Sequence, residues 1–118
     1  MNPTEKWVKD WCYGVEPKLE EKTAAETIKE FHAFWTWANL ESKSKTTKQR
    51  YSVALYALGG HLVKETGKGV RSDMGIREFL KRYVDSDGGP LIHHDNETWQ
   101  DELDTVCRRI YKYLMDTG

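Results

Sequence analysis

Residues 42–50 (SKSKTTKQR), here called the basic segment, contain the densest set of side chains able to bind an anion. The segment has no acid and four cations, which are Lys43, Lys45, Lys48 and Arg50. Serine and threonine hydroxyls, including that of Thr47, lie between them. Lysine, arginine and hydroxyl groups are the usual partners of phosphate oxygens on nucleic acid. The basic segment therefore indicates a phosphate-binding surface, and the alternative is a lysine-rich loop that only keeps the protein in solution.

A second group of cations, Arg77, Lys81 and Arg82, recurs at i, i+4 and i+5. Side chains at this spacing share one side of a helix. If that side lies against residues 45–50, the two groups form one continuous positive strip. We accordingly predict that nucleic acid contacts the following residues: Lys43, Lys45, Thr47, Lys48, Arg50, Arg77, Lys81 and Arg82.

The charge of the chain is close to neutral but unevenly distributed. The 118 residues contain 18 Lys or Arg and 19 Asp or Glu, which gives a net charge of −1. Residues 1–41 have a net charge of −3, residues 42–82 of +7 and residues 83–118 of −5. Charge blocks of this kind often mark a contact surface. The alternative is that the acidic ends fold back onto the basic middle and neutralise it.

No pattern in the sequence predicts catalysis or metal binding. The four histidines lack an HExxH arrangement, and the two cysteines lack further nearby cysteines that could complete a zinc site. The glycines at residues 67–69 and 88–89 do not match a phosphate-binding loop and are typical of turns. We therefore expect no enzyme activity, no metal and no cofactor, and we expect Cys12 and Cys107 to be reduced thiols in the core.

Helical periodicity predicts the elements that must hold these residues. Asn2 is predicted to cap a short first helix in which Trp7 and Trp11 lie one turn apart. Residues 15–22 are predicted as a connector, and Thr23 opens a capping box for a second helix. The apolar residues of that second helix recur at helical spacing and are Ile28, Phe31, Phe34, Trp35, Trp37 and Ala38.

The basic segment lies at the start of a predicted third helix. Residues 46–49 form a second capping box, and one apolar face follows it, made of Tyr51, Leu55, Leu58 and Leu62. Gly59 and Gly60 interrupt this face. They allow either a close contact with a neighbouring helix or a bend or break in the chain. Residues 66–69 end the helix.

Two further helices complete the prediction. Ser72 caps the fourth helix, residues 85–90 form a turn, and Asp95 or Asn96 caps the last helix. The predicted core face of that last helix consists of Trp99, Leu103, Val106, Ile110 and Leu114. The whole chain, 1–118, is thus predicted to be a single all-α domain, a compact bundle of about five helices. It has no apolar run of about 18 residues and no signal peptide, so we expect a cytoplasmic protein without a membrane span.

The stretch from residue 23 to residue 83 resembles the N-terminal core-binding domain of tyrosine recombinases (phage integrases). Sequences of that domain often run W…S..T…Y..AL..L, and the matching residues here are Trp37, Ser44, Thr47, Tyr51, Ala54, Leu55 and Leu58. The resemblance implies a SAM-like helical bundle that clamps one face of duplex DNA with basic helices. The catalytic Arg, His and Tyr of that family have no counterpart in this chain. Residues 88–92 and 107–114 are also similar to short uncharacterised bacterial proteins.

Two functional hypotheses follow from the sequence. The first is a non-enzymatic helical domain, bacterial or phage-like, that binds duplex DNA weakly through the basic segment and the second group of cations. The second is a protein–protein interaction module or accessory protein that uses exposed aromatic residues such as Trp7 and Trp11, or the acidic last helix. Salt-dependent binding to generic duplex DNA distinguishes the two hypotheses.

Overall fold

A computed structural model of the protein describes Thr4, residues 6–71 and residues 73–118. Five α-helices and one 3-10 turn follow one another, and their bounds are α1 (Lys6–Trp11), α2 (Pro17–Trp37), the 3-10 turn (Leu40–Ser42), α3 (Lys45–Gly67), α4 (Ile76–Lys81) and α5 (Glu97–Thr117). These described ranges contain no strand. The predicted all-α bundle of about five helices is confirmed.

The two long helices α2 and α3 form an antiparallel pair. Thr23 near the start of α2 contacts Thr66 near the end of α3, and Phe34 near the end of α2 stacks on Tyr51 near the start of α3. Helix α5 packs against this pair through one apolar stripe. The fully buried residues at this junction include Phe31, Phe34, Leu55, Leu58, Leu62, Leu103, Ile110 and Leu114. Removing this apolar surface from water is the main favourable contribution to folding.

Helix α2 begins earlier than the sequence predicts. Residues 17–22 belong to the helix, so the predicted connector is wrong for them. Pro17 occupies the first turn, where the N–H that proline lacks would have no acceptor in the helix. The capping box predicted at Thr23 is wrong as well, because Thr23 lies inside α2 with its hydroxyl against Thr66 and Arg71.

The carboxylate of Glu20 takes the place of a capping side chain. Its Oε1 atom accepts hydrogen bonds from the N–H of Tyr13 at 2.5 Å and of Gly14 at 3.2 Å, and its Oε2 atom accepts one from Glu16 at 2.6 Å. The side chain is fully buried. The N–H of Glu16 contributes most to holding the pKa of this carboxyl below its ordinary value, against the opposing effect of burial. One buried side chain therefore joins α1 to the start of α2.

Helix α3 begins at Lys45, with Ser44 as its cap. The Ser44 hydroxyl oxygen accepts a hydrogen bond from the N–H of Thr47 at 3.2 Å, which is the usual contact of a capping serine. The capping box predicted at residues 46–49 is therefore wrong, since the capping residue lies upstream of it. The end of α3 at Gly67 agrees with the predicted stop.

Gly59 and Gly60 lie inside a continuous α3, beneath the indole ring of Trp11. A Cβ atom on Gly59 would overlap that ring. The indole N–H of Trp11 donates to the carbonyl of Tyr56 at 3.0 Å, which fixes the ring over the two glycines. Of the two roles that the sequence leaves open, the glycine pair therefore provides a close contact and not a break.

Three of the five tryptophans, Trp7, Trp11 and Trp99, occupy positions opposite to those expected. Trp7 and Trp11 are 4% and 2% exposed and pack on each other and on Tyr56, so the prediction that they form an exposed contact surface is wrong. Trp99, predicted in the core, is 56% exposed. It lies in the first turn of α5, where its ring meets only the edge of His93 among the described aromatic rings. The rest of the predicted α5 stripe is buried.

The link between α4 and α5 is attached to α5 by side-chain hydrogen bonds. Gln100 Oε1 accepts the N–H groups of Ile92 and His93, at 3.1 and 3.0 Å. Asn96 caps α5, because its side-chain oxygen accepts the N–H of Trp99 at 3.1 Å. This contact decides between the two residues predicted for that role.

Two of the predicted caps, Asn2 and Ser72, lie outside the described residues. In the structure Gly75 occupies the N-cap position of α4. The turn predicted at residues 85–90 is confirmed, since the carboxylate of Asp85 accepts the backbone N–H groups of Asp87 and Gly88.

We expect Glu20→Gln to lower the free energy of unfolding by about 2 kcal/mol at neutral pH. Hydrogen bonds from backbone N–H groups to an ionised carboxylate are stronger than those to a neutral amide, and here three depend on one side chain. Urea denaturation followed by circular dichroism measures the change. Glu21→Gln on the exposed face of α2 is the matched control and should have little effect.

The Glu20 contribution should also depend on pH. Because the folded-state pKa is lowered, the stabilisation is complete above the unfolded pKa of about 4.3 and is lost as the pH falls through the folded value. The stability difference between the wild type and Glu20→Gln should therefore shrink in acid. A difference that stays constant down to about pH 2 would contradict this account.

We expect Gly59→Ala to destabilise the protein, because the added Cβ would overlap the Trp11 ring. Overpacking costs about 1–3 kcal/mol, whereas alanine is better than glycine inside a helix by up to about 1 kcal/mol. The control is Gly67→Ala, whose Cβ would lie at ordinary contact distances, the nearest being 3.7 Å from Glu20 and Val15. Thermal unfolding should show a lower midpoint for Gly59→Ala alone. A midpoint equal to that of the wild type would mean that the indole ring moves aside without cost.

Candidate nucleic-acid interface

The basic segment forms the exposed link before α3 and the first turn of that helix. Lys43 and Lys45 are exposed, and neither makes an ion pair with a described residue. The backbone N–H groups of Lys45 and Thr46 have no acceptor among the same residues. The Thr47 hydroxyl oxygen accepts the Ser44 O–H at 3.1 Å, so this predicted contact residue is already part of the cap. The turn therefore combines free cations with free N–H groups. Since helix N-termini attract anions, both kinds of group favour a phosphate here.

Lys48 and Arg50 have acidic partners from outside the basic segment. The Nζ atom of Lys48 lies 3.9 Å from Glu41, and the Nε atom of Arg50 lies 3.6 Å from Glu102. Surface pairs of this kind contribute about 0–1 kcal/mol and are screened by salt. Both cations can therefore exchange a carboxylate partner for a phosphate.

Arg109 of α5 is a cation that sequence analysis does not assign to this surface. Its Nη1 atom lies 3.5 Å from the hydroxyl of Tyr51, the residue that follows the basic segment. Its guanidinium also lies 5.9 Å from the centre of the Trp37 ring. In the sequence, Arg109 stands near Arg108 and Lys112 in the second half of the predicted last helix, the half in which the helix dipole favours cations. No sequence signal connects it to residues 42–50.

Arg77 is not a free cation, because four groups surround its guanidinium. It lies 3.1 Å from Glu30 Oε2, and it donates to the Leu114 carbonyl at 3.2 Å and to the Thr117 hydroxyl at 2.7 Å. The fourth group is the Tyr113 hydroxyl, which itself donates to Glu30 at 2.8 Å. Arg77 thus joins the carboxyl end of α5 to α2, a position that suits a cation.

Lys81 and Arg82 are exposed at the end of α4. No hydrogen bond or ion pair within the described ranges joins α4 to the basic segment. The structure thus brings Arg109 to Tyr51, next to the basic segment, and directs Arg77 into the network around Glu30. The continuous strip of all eight predicted residues stays a prediction.

Ion pairs connect the basic middle of the chain to its acidic ends, which is the alternative that the charge blocks leave open. Among the described residues these pairs are Lys48–Glu41, Arg50–Glu102, Arg71–Glu26 and Arg77–Glu30. Arg71 is the most buried of these cations, with 4% of its side chain exposed, and it also donates to the Thr23 hydroxyl at 2.7 Å. The acidic ends therefore neutralise part of the basic middle and leave Lys43 and Lys45 uncompensated.

The histidines and cysteines do not gather into a second site in the part of the chain that the structure describes. No group of three or more His, Cys, Asp or Glu side chains is placed there to hold a metal ion. Burial raises the pKa of the Cys107 thiol to about 12, whereas Cys12 is half-buried, so only Cys107 lies in the core as predicted. Burial also lowers the pKa of His61, whose Nε2 atom lies 3.4 Å from Glu65.

No helix in the described ranges combines the length and the apolar character needed to cross a membrane. Comparisons with protein-family models, with curated proteins and with solved structures give no match to this chain. The resemblance of residues 23–83 to the core-binding domain of tyrosine recombinases, and with it the SAM-like assignment, stays a prediction. The role of the basic segment has to be inferred from the geometry of this chain's own residues.

We expect Arg77→Ala to lower the free energy of unfolding by about 2 kcal/mol, because it removes charge-assisted hydrogen bonds and leaves Glu30 without its cation. Arg82→Ala removes the same charge from the exposed end of α4 and should stay within about 0.5 kcal/mol of the wild type. Urea denaturation of both variants gives the comparison. Equal stability of the two variants would mean that the contacts of Arg77 are not structural.

Proposed function

We propose that this protein is a non-enzymatic helical domain that binds duplex DNA weakly, through phosphate groups, at the start of α3. The surface consists of five cations and is called here the α3 phosphate surface: Lys43, Lys45, Lys48, Arg50 and Arg109. The observation that carries the proposal is the exposure of Lys43 and Lys45 beside the free N–H groups of the first helical turn. Contacts of this type position a protein on DNA without reading its sequence.

Neighbouring carboxylates keep the proposed binding weak. Glu41 and Glu102 lie 3.9 and 3.6 Å from Lys48 and Arg50, and a phosphate has to compete with them. Asp101 lines the same surface cavity as Arg50, a cavity of about 340 Å³. These acids repel the DNA backbone, so the proposed binding relies most on the cations that have no acidic partner among the described residues, Lys43, Lys45 and Arg109.

Two further points support the same class of ligand. The cations of the α3 phosphate surface come from two separate elements, and contact between Arg109 and Tyr51 brings them together. The stretch that resembles domains that clamp duplex DNA, residues 23–83, contains four of these five cations, and two of the matching residues, Ser44 and Thr47, lie between them. The cations of α4 are assigned a smaller part, since Arg77 is engaged by Glu30 and the end of α5.

We expect binding to a fluorescent duplex of about 20 base pairs to weaken steeply with salt. If three or four cations reach phosphates, the logarithm of the binding constant should fall against the logarithm of the salt concentration with a slope of about −2.7 to −3.6, since each neutralised phosphate contributes about −0.9. Fluorescence anisotropy at several salt concentrations measures the slope. Duplexes of unrelated sequence should bind equally well.

The double variant Lys43→Ala/Lys45→Ala should weaken binding to every duplex and flatten the slope by about two contacts. The matched control is Lys81→Ala/Arg82→Ala, which removes the same charge from α4 and should leave affinity and slope nearly unchanged. Equal losses in the two variants would assign binding to net charge and not to the α3 phosphate surface. If the wild type binds no DNA at low salt, the nucleic-acid proposal is overturned.

Exposed apolar side chains beside the start of α5 favour a second candidate, a protein-interaction module. Trp99 is 56% exposed and Val53 is 45% exposed, and both line a cavity of about 190 Å³. Tryptophan is enriched at the centres of protein interfaces. Should the DNA titration show no binding, Trp99 is the residue to replace, because Trp7 and Trp11 are buried.

A further inference from the structure

The lysines of residues 1–41 all point to solvent, although this part of the chain has a net charge of −3. Each of them is exposed, and within the described ranges none makes a hydrogen bond or an ion pair: Lys6, Lys9, Lys18, Lys22 and Lys29. A surface formed by these lysines is therefore positive, whereas the summed charge of residues 1–41 is negative.

The acids of the same segment are mostly engaged by other groups of the protein. The engaged acids and their partners are Asp10 (Tyr56 hydroxyl), Glu20 (backbone N–H groups), Glu26 (Arg71), Glu30 (Arg77) and Glu41 (Trp35 indole N–H). Glu16 and Glu21 are exposed and have no such side-chain partner among the described residues. Over the described residues of α1, α2 and the link between them, five exposed lysines face three exposed acids, Asp10, Glu16 and Glu21, so the outer side of these helices is net positive.

Three of the exposed lysines border a groove of about 850 Å³ between α1 and α2. The apolar part of its lining consists of Val8, Ala25 and Ile28. The polar part consists of Lys6, Lys9, Lys29, His32 and Glu21. Ile28 is buried, Val8 is half-buried and Ala25 is exposed, so the apolar part forms the floor. Lysines stand on both helices that flank this floor.

We propose that this groove binds an acidic amphipathic helix of a partner protein. An amphipathic helix lays its apolar stripe into a groove and is recognised at positions i, i+3, i+4 and i+7. The floor at Val8, Ala25 and Ile28 receives that stripe. Lysines on the two sides attract the carboxylates that flank the stripe, and this complementarity of charge selects an acidic partner over a basic one.

The dimensions of the groove set the length of the bound helix. Its α2 wall runs from Glu21 to His32, about 16 Å at 1.5 Å per residue. A helix that fills it presents about eleven residues, or three turns. The small side chain of Ala25, which belongs to the floor, lies near the middle of this length and lets the partner helix approach α2 closely.

Two other occupants fit this groove less well. Nucleic acid uses lysines but has no need of an apolar floor, because its phosphate contacts are polar. A second copy of this chain lacks a suitable helix. Its α5 carries acids in the first half, but the apolar stripe of α5 is buried in its own core at Leu103, Val106 and Ile110.

Designed helical peptides test the proposal against the full-length protein. One set carries a leucine stripe flanked by glutamates, with the stripe placed in each possible register. A scrambled peptide of equal composition lacks the stripe, and a third peptide has lysine in place of glutamate. Fluorescence anisotropy at low salt should give a Kd below about 100 μM for at least one acidic amphipathic peptide, and values at least about tenfold weaker for the scrambled and basic peptides.

Variants of the protein locate the binding site. Ala25→Trp fills the floor without changing charge, and Lys9→Glu/Lys29→Glu changes the net charge of the groove lining from +2 to −2, with histidine counted as neutral. Each should weaken peptide binding by about tenfold or more. Lys43→Glu/Lys45→Glu makes the same charge change on the α3 phosphate surface and should leave peptide binding unchanged while it removes DNA binding. Circular dichroism checks that every variant is folded.

Several results would overturn the groove assignment. They are a scrambled peptide that binds as tightly as the amphipathic one, peptide binding that is unaffected by Ala25→Trp, and a complete peptide set with no binding. Duplex DNA that displaces the peptide from Lys43→Glu/Lys45→Glu would also overturn it, since the lysines of α1 and α2 would then be a nucleic-acid surface. Because the two surfaces are disabled by different variants, failure here leaves the DNA proposal to its own test.

Discussion

Three carboxylates on α2 hold the neighbouring segments of the fold in place. Glu20 binds the backbone that follows α1, Glu26 pairs with Arg71 in the link after α3, and Glu30 pairs with Arg77 of α4. A charge withdrawn from water is strongly unfavourable unless it is hydrogen-bonded or paired. Glu20 is fully buried, and Arg71, the partner of Glu26, has only 4% of its side chain exposed, so each requires its partner in one place. Apolar packing tolerates small shifts between helices, whereas these directional contacts select one arrangement.

Because these acids contact other groups of the protein, they also determine which charged side chains remain free at the surface. Counting residues along the chain shows acidic ends and a basic middle. In the folded protein, acids from both ends pair with cations of the middle, and the lysines beside those acids remain in solvent. Positive surfaces therefore arise in two places, at the start of α3 and along the outer side of α1 and α2, and only the first is visible as a run of cations in the sequence.

Periodicity predicts the helices and most of their buried faces, because an apolar stripe at 3.6-residue spacing has to meet another element. Capping rules predict the helix starts less well, since they consider only the residues at the start of a helix. Glu20 lies inside α2 and accepts N–H groups from residues that precede it. An apolar stripe also gives no information on whether a neighbouring element covers the residues at either end of the helix. Trp11 is covered because Gly59 leaves space for its ring, whereas Trp99 in the first turn of α5 remains 56% exposed.

Some features of the candidate site can be predicted from the sequence, and others depend on how the helices pack. Exposure of Lys43 and Lys45 follows from a polar run without apolar neighbours, which a sequence shows directly. The contrasting positions of Arg77 and Arg109 depend on which helix ends meet. That depends on the packing of three helices, and no local pattern of residues contains it.

We expect α1 to join the fold after α2 and α3, because its Trp11 contact spans a long stretch of the chain. Helices α2 and α3 pair across a short link, whereas the indole N–H of Trp11 reaches a carbonyl 45 residues further on. A helix of six residues has little stability alone, and longer loops cost more entropy to close. We therefore expect helix α1 to dock onto an α2–α3 hairpin that has already formed. A weakened Trp11 contact then raises the unfolding rate and leaves the folding rate almost unchanged.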